Sequence, residues 1–151
     1  MKYMFCLFLA CFIFAANAHA AGEKAPETVA LNQFEQKMVG KVWITVNAVD
    51  QKGVDVPAVD EKVSAFFGKA EYYPDHTFKM TNLDGEPKMR GLWSMSEDGK
   101  TRTLTAQDES GNTQFTRTVE NVTVSDGEYT YRIYPDAGNM GEYIDIIHRP
   151  Q

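Results

Sequence analysis

Short runs of apolar and β-branched residues alternate with turn-forming clusters about every ten positions along most of this chain. Pro74-Asp75-His76, Asp84-Gly85-Glu86-Pro87, Glu97-Asp98-Gly99, Ser110-Gly111-Asn112, Ser125-Asp126-Gly127 and Asp136-Ala137-Gly138-Asn139 mark the breaks. These residue types adopt turn dihedrals that others resist. Between the breaks, strands are predicted over 42–49, 77–83, 89–95, 101–108, 113–124, 129–134 and 143–148. One further long strand is predicted over 62–73, with Gly68 as a bulge. Eight strands in succession predict an all-β fold, an eight-stranded antiparallel barrel, which can fill itself or hold one small ligand. Leu31, Phe34 and Met38 recur at helical spacing, with Asn32 or Thr28 as a cap and Gly40 as a stop. They predict a short N-terminal helix over 31–39 that covers an open end or side of the barrel.

Period-two alternation assigns the faces. Phe78 and Met80 share one, as do Met89, Gly91, Trp93 and Met95. Arg102, Leu104 and Ala106 form another, and so do Phe115, Arg117 and Val119. Tyr129, Tyr131 and Ile133 line one side of their strand, and Ile144, Ile146 and His148 one side of the last. Trp43 and Trp93 are expected in the core.

The first twenty residues break the pattern. Lys2, the apolar run from Tyr3 to Ala16, and Ala18-His19-Ala20 form the three parts of a signal peptide over 1–20, cleaved before Ala21. The apolar run is too short for a stable membrane anchor. Phe8-Leu9-Ala10-Cys11 only loosely resembles a lipobox, because Phe8 replaces Leu and the apolar run continues past Cys11. Residues 21–30 read as a flexible leader, and 31–151 as one domain with one core. An exported protein, periplasmic or extracellular, is expected. Both cysteines, Cys6 and Cys11, lie in the signal segment, so the mature chain has no disulfide, no thiol nucleophile and no thiolate metal site. Its charge changes from 15 − 21 = −6 to 14 − 21 = −7 once Lys2 is removed. An acidic chain gains nothing from a phosphate backbone, so nucleic acid is not an expected partner.

Several stretches carry a resemblance. Gly40-Lys-Val-Trp43 opens the first strand, followed by Tyr73-Pro-Asp-His-Thr-Phe78, Gly91-Leu-Trp-Ser94 and Asp98-Gly-Lys-Thr-Arg-Thr-Leu104. Asp84-Gly-Glu-Pro-Lys88, Thr116-Arg-Thr-Val-Glu120, Tyr129-Thr-Tyr-Arg-Ile133 and Tyr143-Ile-Asp-Ile-Ile-His148 extend it. The pattern resembles small bacterial lipocalin-like (calycin-type) domains over roughly residues 31–148. More closely, it is similar to a secreted family of that kind catalogued as a domain of unknown function. The resemblance implies a lipocalin-like barrel and assigns no activity. Gly40 stands three residues before Trp43, where lipocalins place it two before. Ligand transport therefore enters only by analogy of fold.

Catalytic and metal chemistry finds little footing. His76 lies in a turn, and alternation puts His148 and Asp145 on opposite faces of a strand, away from the convergence zinc needs. No Gly-x-Ser-x-Gly elbow and no phosphate-cradling glycine motif is present. Asp145 is the one acid within a strongly apolar strand, and it either faces solvent or pairs with a neighbouring arginine. The arginines are more informative. Arg102 and Arg117 sit within apolar faces, and a buried guanidinium needs partners. They either pair with acids such as Glu120 or Asp145, or hold the acidic group of an amphiphile while Trp93, Phe78, Tyr131 and Met80 cover its apolar part. The chain is thus read as a non-enzymatic, monomeric binding module without cofactor, holding a small apolar or amphiphilic anion. The alternative is a packed barrel acting through its surface on a secreted protein, as an inhibitor does.

Overall fold

The computed structural model describes residues 29–151, so the expected signal peptide over 1–20 and residues 21–28 of the expected leader lie outside the described residues. Eight strands follow in chain order: β1 (Val42–Asp50), β2 (Lys69–Tyr72), β3 (Thr77–Thr81), β4 (Pro87–Met95), β5 (Thr101–Gln107), β6 (Thr113–Val124), β7 (Tyr129–Ile133) and β8 (Ile144–Pro150). Each pairs antiparallel with the next, and β8 returns to β1, closing an all-β barrel.

The predicted strand phase holds through β4, β5, β7 and β8. Trp93, Met95, Arg102, Leu104, Ala106, Tyr129, Tyr131, Ile133, Ile144, Ile146 and His148 are all buried. Trp43 and Trp93 are core residues, and their indoles donate to the backbone carbonyls of Met38 (2.9 Å) and Tyr73 (3.1 Å). Each buried ring thereby satisfies its one polar atom.

One end of the barrel is plugged. Asn32 Oδ1 accepts from the backbone N–H groups of Phe34 and Glu35, while Glu35 Oε2 accepts from the Asn32 N–H. This reciprocal capping box starts a helix of one turn, α1 (Glu35–Met38). The helix is shorter than the predicted span 31–39, because Asn32 spends its first residues on the cap and Val39 turns extended to bridge Tyr72. Glu35 Oε1 accepts from the Met95 N–H and Asn32 Nδ2 donates to the Met95 carbonyl, which ties the plug to the end of β4. Phe34 lies directly on Gly99, leaving no room for a side chain there.

The second strand differs more. Residues 62–66 are not extended. Asp60 gathers the N–H groups of Lys62, Val63 and Ser64, and a 3₁₀ turn (Ser64–Phe66) follows, so only Lys69–Tyr72 joins the sheet. A local oxygen-rich turn wins over the apolar run. Its effect is to lay Phe66 across the unplugged end.

Candidate functional site

β5 runs from the plugged end toward the open end, and Arg102 is its first inward residue. Its ladder partners are Met95 on β4 and Val119 on β6, so its side chain rises from an apolar rank at the base of the interior. Arg102 is 3 % exposed. Nη1 donates to Tyr72 Oη at 2.6 Å. The guanidinium carbon lies 4.7 Å from the ring centre of Tyr131, 5.4 Å from Tyr129 and 5.9 Å from Tyr72. Nε is buried with no hydrogen-bond partner. Among the described residues Arg102 makes no ion pair.

The surroundings hold no countercharge. Burial pushes the phenols of Tyr72, Tyr129 and Tyr131 up, Tyr131 to about 12, so all three stay neutral. His148 lies in the same wall, stacked on Tyr131 with ring centres 5.2 Å apart. Its Nδ1 is 3.0 Å from the Tyr129 carbonyl, which can only accept, so Nδ1 carries the proton. Burial first and the Arg102 charge second lower its pKa to about 3. At neutral pH the base of the barrel therefore carries one positive charge, ringed by aromatic faces. Such rings stabilise a desolvated cation, but they do not neutralise it.

Above Arg102 is a cavity of about 60 Å³, walled by Leu104, Val119, Met80, Met89, Phe66 and Tyr131. Lys88 and Arg117 stand at its mouth, and no Asp or Glu lines it. Arg117 pairs across the ladder with Leu104, two residues above Arg102, and its guanidinium sits 5.4 Å from the Phe66 ring. Lys88 Nζ donates to the Phe67 carbonyl at 3.0 Å, and partial burial lowers its pKa. In a chain with net charge −6, an acid-free cavity lined by four cationic side chains, Lys69, Lys88, Arg102 and Arg117, is a local inversion of sign.

Of the six residues suggested from sequence, the structure brings Arg102, Arg117, Tyr131 and Met80 to this cavity. Phe78 and Trp93 are buried in the core and do not line it. Trp93 leans on Tyr72 at 4.9 Å, nearer the plug, and so supports the residue that holds Arg102. Phe78 is opposite Tyr72 in the β2–β3 ladder, at the same end. Of the two kinds of partner expected for Arg102, an acid of the chain or a ligand's acidic group, the first is not found among the described residues. Asp145 is engaged instead by Arg132 in a two-pronged ion pair at 2.8 and 3.0 Å, and Glu120 accepts from Tyr134. Tyr72, Tyr129 and His148 were not singled out as site residues. Alternation already put Tyr129 beside Tyr131 and His148 beside Ile146, and Tyr72 lies in the part of the second strand that the structure retains, Lys69–Tyr72. His76, in a left-handed turn (φ 63°), pairs with Glu35 at 3.3 Å in the plug. Among the described residues no three His, Cys, Asp or Glu side chains converge as a metal site would require.

Fold and site together define a closed eight-stranded antiparallel barrel with a cationic, aromatic-walled pocket at its base. The chain belongs to a family described as a domain of unknown function (DUF4822), whose pattern matches residues 35–151. No match is found among curated proteins.

Proposed function

We propose that this protein is an exported, non-enzymatic binding module that holds a small amphiphilic anion inside its barrel. The observation that carries the reading is Arg102, a fully buried guanidinium with an orphan Nε and no acidic partner among the described residues, facing a cavity without acids. A buried unpaired charge is among the costliest features a fold can retain. An incoming carboxylate, sulfonate or phosphate would accept from the free N–H and supply the missing charge. The apolar walls suit a non-polar body next to that group. The likeness to lipocalin-like domains and the signal-type N-terminus support export and carriage by analogy.

Titration with 8-anilinonaphthalene-1-sulfonate, itself a small amphiphilic anion, tests the reading by fluorescence. The wild-type protein is expected to bind it, and Arg102→Leu to weaken binding at least tenfold. Equal binding by both proteins would remove Arg102 from the site. The small interior favours a second reading, in which the barrel is simply packed and works through its surface on a secreted protein. That reading expects no saturable binding of the probe to either protein.

A further inference from the structure

The barrel is closed, but one seam is only partly laced. The β4–β5 ladder ends at Gly91↔Ala106. Beyond it Pro87–Arg90 pair with β3 alone, while Gln107 pairs with Thr113 of β6. Gly91 sets this point. Its φ is 154°, and a Cβ there would collide with the Thr105 carbonyl, so the two backbones touch and then part. Past the contact lies a cleft of about 510 Å³ between β4 and the β5–β6 hairpin, spanned by Arg90 Nη2 donating to the Asp108 carbonyl at 3.1 Å.

Met80, Lys88, Met89 and Phe115 line both this cleft and the interior cavity. The two spaces thus share a wall of two methionines, one phenylalanine and Lys88. Phe115 is 41 % exposed, although its ladder phase points it inward. Methionines adapt their shape to what passes them. From Arg102 to Gln107 along β5 is roughly 16 Å, five residues at about 3.3 Å each. The interior cavity of about 60 Å³ has room for an acidic group and its first carbons, but not for a chain of that length.

We propose that the open β4–β5 seam is the exit for the ligand's tail. The site takes a linear carboxylate whose acid group lies on Arg102 and whose alkyl chain leaves the barrel over Met80, Met89 and Phe115. This rests on the anion-binding reading given above. A compact anion would leave the seam unexplained, whereas a chain makes the exposed Phe115 ring part of its cover.

Displacement of 8-anilinonaphthalene-1-sulfonate by straight-chain carboxylates from butyrate to dodecanoate tests the proposal. Affinity is expected to rise about two- to fourfold per added methylene until the chain clears the seam. Phe115→Ala, checked by thermal melt, should weaken decanoate several-fold and butyrate far less. Met89→Trp, checked by thermal melt, should fill the seam and flatten the chain-length trend. If butyrate and dodecanoate bind equally, through Arg102, the tail exit is wrong and the anion site stands. The exit is also wrong if both variants shift short and long acids alike. If neither probe nor carboxylate binds, both readings fall.

Discussion

Removing the buried charge should make this protein more stable and unable to bind. Arg102 is 3 % exposed with an orphan Nε. Against its desolvation, several kcal/mol for a buried ion, stand one charge-assisted hydrogen bond, about 1.5–3 kcal/mol, and ring faces worth about 2 kcal/mol when desolvated. The unpaired Nε adds about 1–3 kcal/mol of further cost. The balance is unfavourable for the ligand-free fold. Methionine matches the length and flexibility of arginine without the charge. Arg102→Met alone orphans the Tyr72 hydroxyl, so the informative variant is Arg102→Met with Tyr72→Phe, which removes both members of the 2.6 Å bond. That double variant is expected to gain about 1–3 kcal/mol, by comparison with other buried charges replaced by apolar residues. On heating this reads as a rise of roughly 3–10 °C in the melting temperature. Urea denaturation followed by circular dichroism measures it, and the single Arg102→Met should gain less. Loss of more than about 2 kcal/mol in the double variant would refute the reasoning. The cation would then be a structural keystone of its aromatic ring rather than a residue kept for a ligand.

Three further outcomes follow from the same structure. His148 is held at a pKa of about 3, below its unfolded value near 6.5, so the unfolded chain takes up a proton that the folded one refuses. Its contribution to stability is intact above about pH 6.5 and is lost progressively toward pH 3, by roughly 3–5 kcal/mol in all; His148→Gln should flatten that part of a stability–pH curve. Trp93→Ala should cost about 3–5 kcal/mol in chemical denaturation, and a loss under about 1 kcal/mol would contradict its core position. The secreted product should have the intact mass of a chain beginning at Ala21, and a lipid on Cys11 would overturn that expectation.

The strands and their faces were legible because turn chemistry and period-two alternation are local signals. Arg102 follows directly, since its neighbours Leu104 and Ala106 fix its direction. Two things were not legible. The segment 62–66 carries an apolar run that fits a strand, yet Asp60 collects three N–H groups and bends it into a turn. That competition is decided by one carboxylate and one carbonyl, which composition does not weigh. The depth of each inward residue was hidden as well. Trp93 and Phe78 share a face with cavity residues but sit nearer the plug, because position along the barrel axis depends on strand stagger. Tyr72 and His148 joined the site for the same reason: three strands distant in sequence meet Arg102 at one level.

The closure of β8 on β1 has a consequence for the order in which the chain folds. Val42 opens the first strand, yet its carbonyl accepts from Gln151, and Trp43 pairs with Pro150. The first strand made waits for the last, across roughly a hundred residues of intervening chain, and long loops of this kind close late. Until Ile144–Pro150 has emerged, β1 has an unpaired edge and the interior is open to water. The interior, Arg102 included, is sealed from the β1 side only when β8 closes on β1.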